Sequence, residues 1–333
     1  MKQYRIAVLG ATGAVGREML KILEERKFPI ASIRALASAR SAGTKLPFCG
    51  GEITVEEATD ASFADTDIVL GAAQADLARK FAPAIVKSGA VFVDNSSAFR
   101  MQDDVPLIVP EINPEDVKNH HGIISNPNCS TIITLTAVAA LNRISPIRTM
   151  VASTYQAVSG AGAAGLKELE EQVRDYAADK TLNVNAFPYQ IAFNVLPQIG
   201  SDSGNGYTTE EMKMQNEGRK IMHLPDLRVT CTCVRVPVLR SHSISVTVVT
   251  ERKISVSEAQ AAIAKAPGCK LTDDLAAKIY PMPLDTSDQD LVYVGRIRED
   301  LTNELGLSLF CCGDQIRKGA ATNAVQIAEL LIR

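Results

Sequence analysis

The chain has 333 residues, 46% of them apolar, enough for about two domains with a sizeable core. Its net charge of −3 argues against nucleic acid or an anionic membrane surface as the main partner. Seven cysteines, an odd number in a long chain, argue against a disulfide framework and for a reducing compartment.

In chain order, "YRIAVLG" (4–10) reads as a strand buried on both faces. It follows the opening residues directly, without the pattern of a signal peptide, and no apolar run reaches the roughly 18 residues of a membrane span. A soluble, cytoplasmic protein is expected. Residues 14–26 place Val15, Met19, Ile22 and Leu23 at helical spacing. Strands are predicted over 32–38, 67–73 and 90–97, with a helix over 75–89. Strands alternating with helices imply a parallel sheet of βαβ units.

After Cys129 the texture changes. Residues 148–160, 227–238, 242–251 and 306–313 are longer, Val- and Thr-rich strand candidates that suggest a largely antiparallel or mixed sheet, with 165–179 as a helix. Residues 181–210, rich in Asn, Pro and Gly, are expected to form an ordered excursion. Residues 318–332 form a final helix, expected to dock on the first domain because a lone amphipathic helix needs a partner. The expected division is 1–128 with 315–333 as a nucleotide-binding domain and 129–314 as a catalytic domain.

"GATGAVG" sets Gly10, Gly13 and Gly16 between the first strand and helix. Glycines let the backbone approach a pyrophosphate, and the helix start supplies N–H groups and positive dipole. Thr12, Ala14 and Val15 in the same turn share this candidacy. An NAD site usually ends the second strand with an acid. Here "ASARSAG" follows, so Ser38, Arg40 and Ser41 are candidates for the 2′-phosphate of NADP; the alternative is a solvated loop arginine. "SGAGAAG", with Gly160, Gly162 and Gly165, repeats the glycine spacing, but no following strand carries a ribose-binding group. It is expected to be a close backbone turn beside the active site, with Ser159 and Gly160 touching the same cofactor.

"SNPNCSTII" breaks the chain at Asn126–Asn128 and opens a helix at Cys129. The positive end of a helix dipole favours thiolate; the alternative is a small buried residue. Cys231 and Cys233 share strand parity with Arg235. Together with Cys311 and Cys312 they invite a metal reading. Adjacent cysteines on a strand point to opposite faces, however, and the spacing is not C-x2-C, so buried side chains and no metal are expected.

In order, the motifs "GATGAVG", "SSAFR", "SNPNCST", "TYQAVSGAG", "EGRKIM", "CVRVPVLRSHS" and "RKGAATNAVQIAELL" give a chain that resembles the aspartate-semialdehyde dehydrogenase family over essentially its whole length. The resemblance implies an α/β protein: a Rossmann-like parallel-sheet domain plus an α+β catalytic and dimerisation domain like that of glyceraldehyde-phosphate dehydrogenase. It implies a homodimer that uses NADP to reduce L-aspartyl 4-phosphate to L-aspartate 4-semialdehyde and phosphate, toward lysine, threonine and methionine.

By the same resemblance, Cys129 is the nucleophile and His242 the acid/base, with a pKa suited to transfer near neutrality. Gln156 orients the substrate, and Arg235 binds its α-carboxylate with a planar fork. Arg100 and Lys220 bind phosphate. Glu217, three residues before Lys220, binds the ammonium. Gln315 lies at the nicotinamide end, although family members often carry Asn or a similar residue near this position. Taken alone, His242 and Gln156 read as satisfied polar groups, and Glu217 with Lys220 as a solvated helical pair. The rivals are another acyl-phosphate reductase, such as N-acetyl-glutamyl-phosphate reductase, whose acylated substrate offers no ammonium to Glu217, and a non-catalytic NADP-binding regulator, which has no use for Cys129, Gln156 and His242 together.

Overall fold

The computed structural model describes residues 2–332. The chain divides into two compact units, 1–128 with 320–333 and 129–319. Residues 315–319 therefore belong to the second unit, not to the first as the sequence suggested.

The first unit is built on seven strands: β1 (Tyr4–Leu9), β2 (Ile30–Ala37), β3 (Lys45–Phe48), β4 (Gly51–Glu57), β5 (Ile68–Gly71), β6 (Val91–Asp94) and β7 (Ile123–Ser125). Their order is β3-β4-β2-β1-β5-β6-β7, parallel throughout except for the β3–β4 hairpin. β1 is buried on both faces. Ile6 and Val8 join one core with Met19, Ile22 and Leu23, while Ala7 and Leu9 join another with Phe63, Phe81 and Ile85. This is why its apolar residues run continuously rather than alternate. Helices α1 (Ala14–Glu25) and α2 (Ala75–Lys87) follow β1 and β5.

The final helix, Thr322–Leu330, gives Ala324, Val325, Ile327 and Ala328 to the core that α1 shares. Arg26 donates to Glu329 through Nε and Nη2, at 2.6 and 2.7 Å. Its first turns differ from expectation: Arg317–Ala321 is a π-helical turn.

The second unit carries β8 (Ile147–Gln156), β9 (Arg228–Arg235), β10 (His242–Thr250), β11 (Cys269–Leu271), β12 (Val292–Glu299) and β13 (Gly306–Gly313). The sheet is mixed, in the order β11-β12-β13-β10-β8-β9. Helix α3 (Cys129–Ile144) is buried from Ser130 to Leu141, as an all-round apolar helix must be. It packs on the sheet together with α5 (Thr209–Ile221) and α6 (Val256–Lys265), while α4 (Gly162–Ala177) follows β8. The opposite face of the sheet exposes Val151 and Tyr155. Ser153, Ser245, Thr247 and Phe310 lie beside them, half-buried. In the 181–210 excursion, Ile191, Ala192 and Leu196 pack against Val158 and Leu169.

Candidate active site

Sheet topology brings three of the expected residues together. β8 and β9 are parallel, so their last residues, Gln156 and Arg235, are register partners. β10 runs antiparallel to β8, with Ser243 opposite Tyr155, so its first residue, His242, arrives at the same end. Gln156, Arg235 and His242 are all buried. Arg235 Nη1 donates to Ala157 O at 2.7 Å, and its backbone is pinned on the far side by Leu196 through two bonds of 2.8 and 2.9 Å.

Ala157 N–H donates to His242 Nδ1 at 3.1 Å. Nδ1 thus acts as acceptor, which assigns the proton of the neutral ring to Nε2. Burial, and then the Arg235 charge, push the His242 pKa down to about 3, against an opposing pull from Glu210. The ring is neutral here because burial disfavours its cation. Arg235 is electrostatically coupled to the Cys129 thiol; burial lowers its own pKa, opposed by Cys129, Glu210 and Cys233.

Cys129 is the first residue of α3 and is half-buried. The chain leading to it is clamped. Asn126 Nδ2 donates to Ala320 O at 3.1 Å, and Asn323 Nδ2 donates to Asn126 Oδ1 at 2.6 Å. Glu217 is buried on α5, with Lys220 half-buried in its last turn. Arg100, in the first unit, is buried and donates to Asn95 O at 2.8 Å.

The second glycine loop answers to close approach. A Cβ at Gly160 would stand 2.7 Å from Arg235 Nη1 and 3.3 Å from His242 Cε1, and one at Gly165 would stand 2.5 Å from Val158 O. Gln315 is buried and braces this loop. Its amide donates to Ser159 Oγ, and its Oε1 accepts from Ser241 N–H at 2.8 Å. It thereby supports Ser241, whose φ of +75° sets the approach to His242. Cys231 and Cys233 are buried, with their sulfurs 3.7 Å apart. Among the described residues, no group of three or more His, Cys, Asp or Glu side chains converges as a metal site would need.

Two residues near Gln156 were missed in the sequence. Thr154 Oγ1 donates to Gln156 Oε1 at 3.0 Å, and Gln156 Nε2 donates to Glu210 Oε1 at 3.3 Å. The available signals were Thr154 at the same strand parity and a second E-x-x-K pair, Glu210 with Lys213.

The glycine turn of the first unit fits a nucleotide. It follows β1, which lies between β2 and β5, the switch point where open α/β sheets bind ligands. Gly10 has φ +86°, and a Cβ there would stand 2.7 Å from Ala72 O; one at Gly16 would stand 2.2 Å from Gly10 O. Gly13 caps α1 without a side-chain bond, and no acid lies in the first turn. The N–H groups and dipole of that helix start therefore face no competing carboxylate of their own helix. Ser38 and Arg40 are exposed after β2, beside half-buried Ser41.

Comparison with known proteins agrees with both units. A family model described as the semialdehyde dehydrogenase NAD binding domain matches residues 5–120, and one described as the semialdehyde dehydrogenase dimerisation domain matches residues 138–318. The class is thus that of semialdehyde dehydrogenases, two-unit α/β oxidoreductases. Aspartate-semialdehyde dehydrogenase of Synechocystis is 50% identical, over 98% of this chain and 97% of its own; that of Aquifex aeolicus is 49% identical over 99% and 98%. The crystal structure of aspartate semialdehyde dehydrogenase II from Vibrio cholerae, complexed with ASA, superposes with a TM-score of 0.98 at 41% identity, covering 100% of this chain and 99% of that one. That of the Candida albicans enzyme with NADP gives 0.76 at 26%, covering 99% of each. The chain belongs to the aspartate-semialdehyde dehydrogenase family. Neither rival is favoured by these relatives. A nicotinamide cofactor and a homo-oligomer are supported, and no helix among the described residues is long and apolar enough to cross a membrane.

Proposed function

We propose that this chain catalyses the reversible, NADP-dependent reduction of L-aspartyl 4-phosphate to L-aspartate 4-semialdehyde, in the biosynthesis of lysine, threonine and methionine. The observation that carries the proposal is the convergence of Gln156, Arg235 and His242 at one end of β8, β9 and β10, in a unit whose α3 opens with Cys129.

In this mechanism the Cys129 thiolate attacks the acyl carbon. The carbon–oxygen bond to phosphate breaks, phosphate leaves with the bonding pair, and a thioester remains. Bound NADPH supplies a hydride. The reduced carbon then expels Sγ as the aldehyde forms. Arg235 takes the α-carboxylate and favours thiolate as a permanent cation, and Glu217 takes the ammonium. Arg100 and Lys220 take the phosphate. His242 presents Nε2–H to the oxygen on the reacting carbon, and backbone N–H groups at the start of α3 steady the same charge. The glycine turn (Gly10–Gly16), Ser38, Arg40 and Ser41 hold the cofactor, with Ser159, Gly160 and Gln315 as further proposed contacts. We further propose that the homo-oligomer is a dimer formed through the open face of the second sheet, and that the protein is cytoplasmic.

The test is direct. Enzyme incubated with an acyl-phosphate substrate and no NADPH should gain the mass of an aspartyl group on the peptide containing Cys129. Cys129→Ala should lose turnover and still bind NADP. An adduct on Cys231 or Cys233, or substantial turnover by Cys129→Ala, overturns the mechanism. A phosphate-dependent assay of NADP reduction with aspartate semialdehyde, set against N-acetylglutamate semialdehyde, decides the substrate.

A further inference from the structure

We infer that Asp94 is a positioning residue for this reaction: its carboxylate holds the Asn95–Ser96 peptide so that the Asn95 carbonyl aims the guanidinium of Arg100. The inference rests on the phosphate-binding role proposed above for Arg100.

Asp94 is the last residue of β6 and is wholly buried. Sheet pairing carries one residue further, where Asn95 N–H donates to Gly71 O at 3.0 Å. From there the chain turns away, and Asp94 directs the turn. Its Oδ1 accepts Ser96 N–H at 3.0 Å, and its Oδ2 accepts the Ser96 hydroxyl at 2.7 Å. With its proton so committed, Ser96 Oγ accepts Ala98 N–H at 3.1 Å.

The consequence lies in the peptide unit between Asn95 and Ser96. A trans peptide is planar, and its N–H and C=O point in opposite directions. Fixing Ser96 N–H on Asp94 therefore turns the Asn95 carbonyl to the other side. There it accepts from Arg100 Nη2 at 2.8 Å. The guanidinium is a rigid planar fork, so holding one of its nitrogens sets where the others point. Asn126 secures the same corner: its N–H donates to Asp94 O at 2.7 Å, and its side-chain amide donates to Asn95 Oδ1 at 2.5 Å.

A buried carboxylate is a costly way to begin a turn. Burial pushes the Asp94 pKa up, opposed first by the two Ser96 bonds and then by the charges of Arg100 and Arg79. Asp94 thus feels the cation whose direction it sets.

The test is steady-state kinetics of phosphate-dependent NADP reduction with aspartate semialdehyde, on the full chain. Asp94→Ala frees the peptide and should raise the KM for phosphate about tenfold or more. The KM values for aspartate semialdehyde and NADP should stay within about twofold, which a general loosening of the fold would not spare. Asp94→Asn keeps an oxygen for Ser96 N–H and should restore the phosphate KM to within about threefold of wild type. Ser96→Ala keeps the N–H but removes the hydroxyl bridge. It should raise the phosphate KM alone, by about threefold, and it tests the inference should Asp94→Ala not fold. Adding Asp94→Ala to Arg100→Ala should raise the phosphate KM no further, because Asp94 acts through Arg100. A wild-type phosphate KM in Asp94→Ala or Ser96→Ala, equal rises in all three constants, or an Asn variant as impaired as the Ala variant overturns the inference and leaves the function proposed above intact. A wild-type phosphate KM in Arg100→Ala overturns the role of Arg100 itself and this inference with it.

Discussion

Gly319 lies against Cys129, the nucleophile proposed above: a Cβ there would stand 3.0 Å from Cys129 Cβ and 3.3 Å from its Cα. Neither neighbour is the flexible end of a long side chain, so in Gly319→Ala the start of α3 or the π-helical turn that carries residue 319 must yield by a few tenths of an ångström. Small misplacements of reacting groups cost heavily in rate. We expect kcat to fall, by less than the roughly 100-fold that a misplacement of about 1 Å costs, while NADP affinity, measured by fluorescence titration, stays near wild type because the glycine turn after β1 is untouched. Wild-type kcat would show that the cysteine tolerates the displacement.

The buried ring of His242 makes stability depend on pH. Its ordinary value is 6.5, and in the folded protein it is lowered to about 3. Below pH 6.5 the unfolded chain takes up a proton that the folded one refuses. Stability therefore falls as pH drops from 6.5 toward 3, with a loss of about 2 kcal/mol by pH 5. His242→Asn keeps an acceptor for Ala157 N–H but cannot titrate. Denaturant unfolding at pH 6.5 and pH 5 should show a smaller loss in this variant by about that amount; equal losses would refute the assignment.

Arg40 is exposed in the turn after β2. If it grips a 2′-phosphate, Arg40→Ala should weaken NADP by about tenfold or more, since a charge-assisted hydrogen bond is worth roughly 1.5–3 kcal/mol. NAD binding should scarcely change. Equal losses for both cofactors, measured by titration, would remove Arg40 from the discrimination.

Tyr155 and Phe310 stand together on the open face of the second sheet, with ring centroids 6.3 Å apart. Exposed apolar surface of this kind marks association. If the dimer proposed above forms through this face, Tyr155→Glu should shift it toward monomer in sedimentation velocity. A dimer that survives unchanged would move the interface elsewhere.

The parallel sheet was legible because β1 carries apolar side chains to both faces, and the glycine turn because Gly10 and Gly16 have no room for a Cβ. The β3–β4 hairpin was not. Its residues are mostly exposed, and its turn places Cys49 at φ +48°, a conformation that no local pattern announces. The π-turn at Arg317–Ala321 likewise hides inside a helical pattern. Within the candidate site, the motifs single out Gln156 and His242 as expectations, but the neutral state of His242 could not be read from them. It comes from burial and from Arg235, which reaches it through strand pairing rather than sequence proximity. Glu210 is 54 residues from Gln156, and only the fold puts the two side chains together.

The chain leaves the first unit after Asn128 and rejoins it at Ala320, carrying Val325 and Ile327 into a core otherwise made before residue 128. During synthesis that core stays open until the whole second unit has been translated. A fragment ending at residue 128 lacks one wall of its own interior, whereas residues 129–319 are complete before the first unit can close. The first unit therefore cannot complete its interior until the chain has passed through the whole of the second.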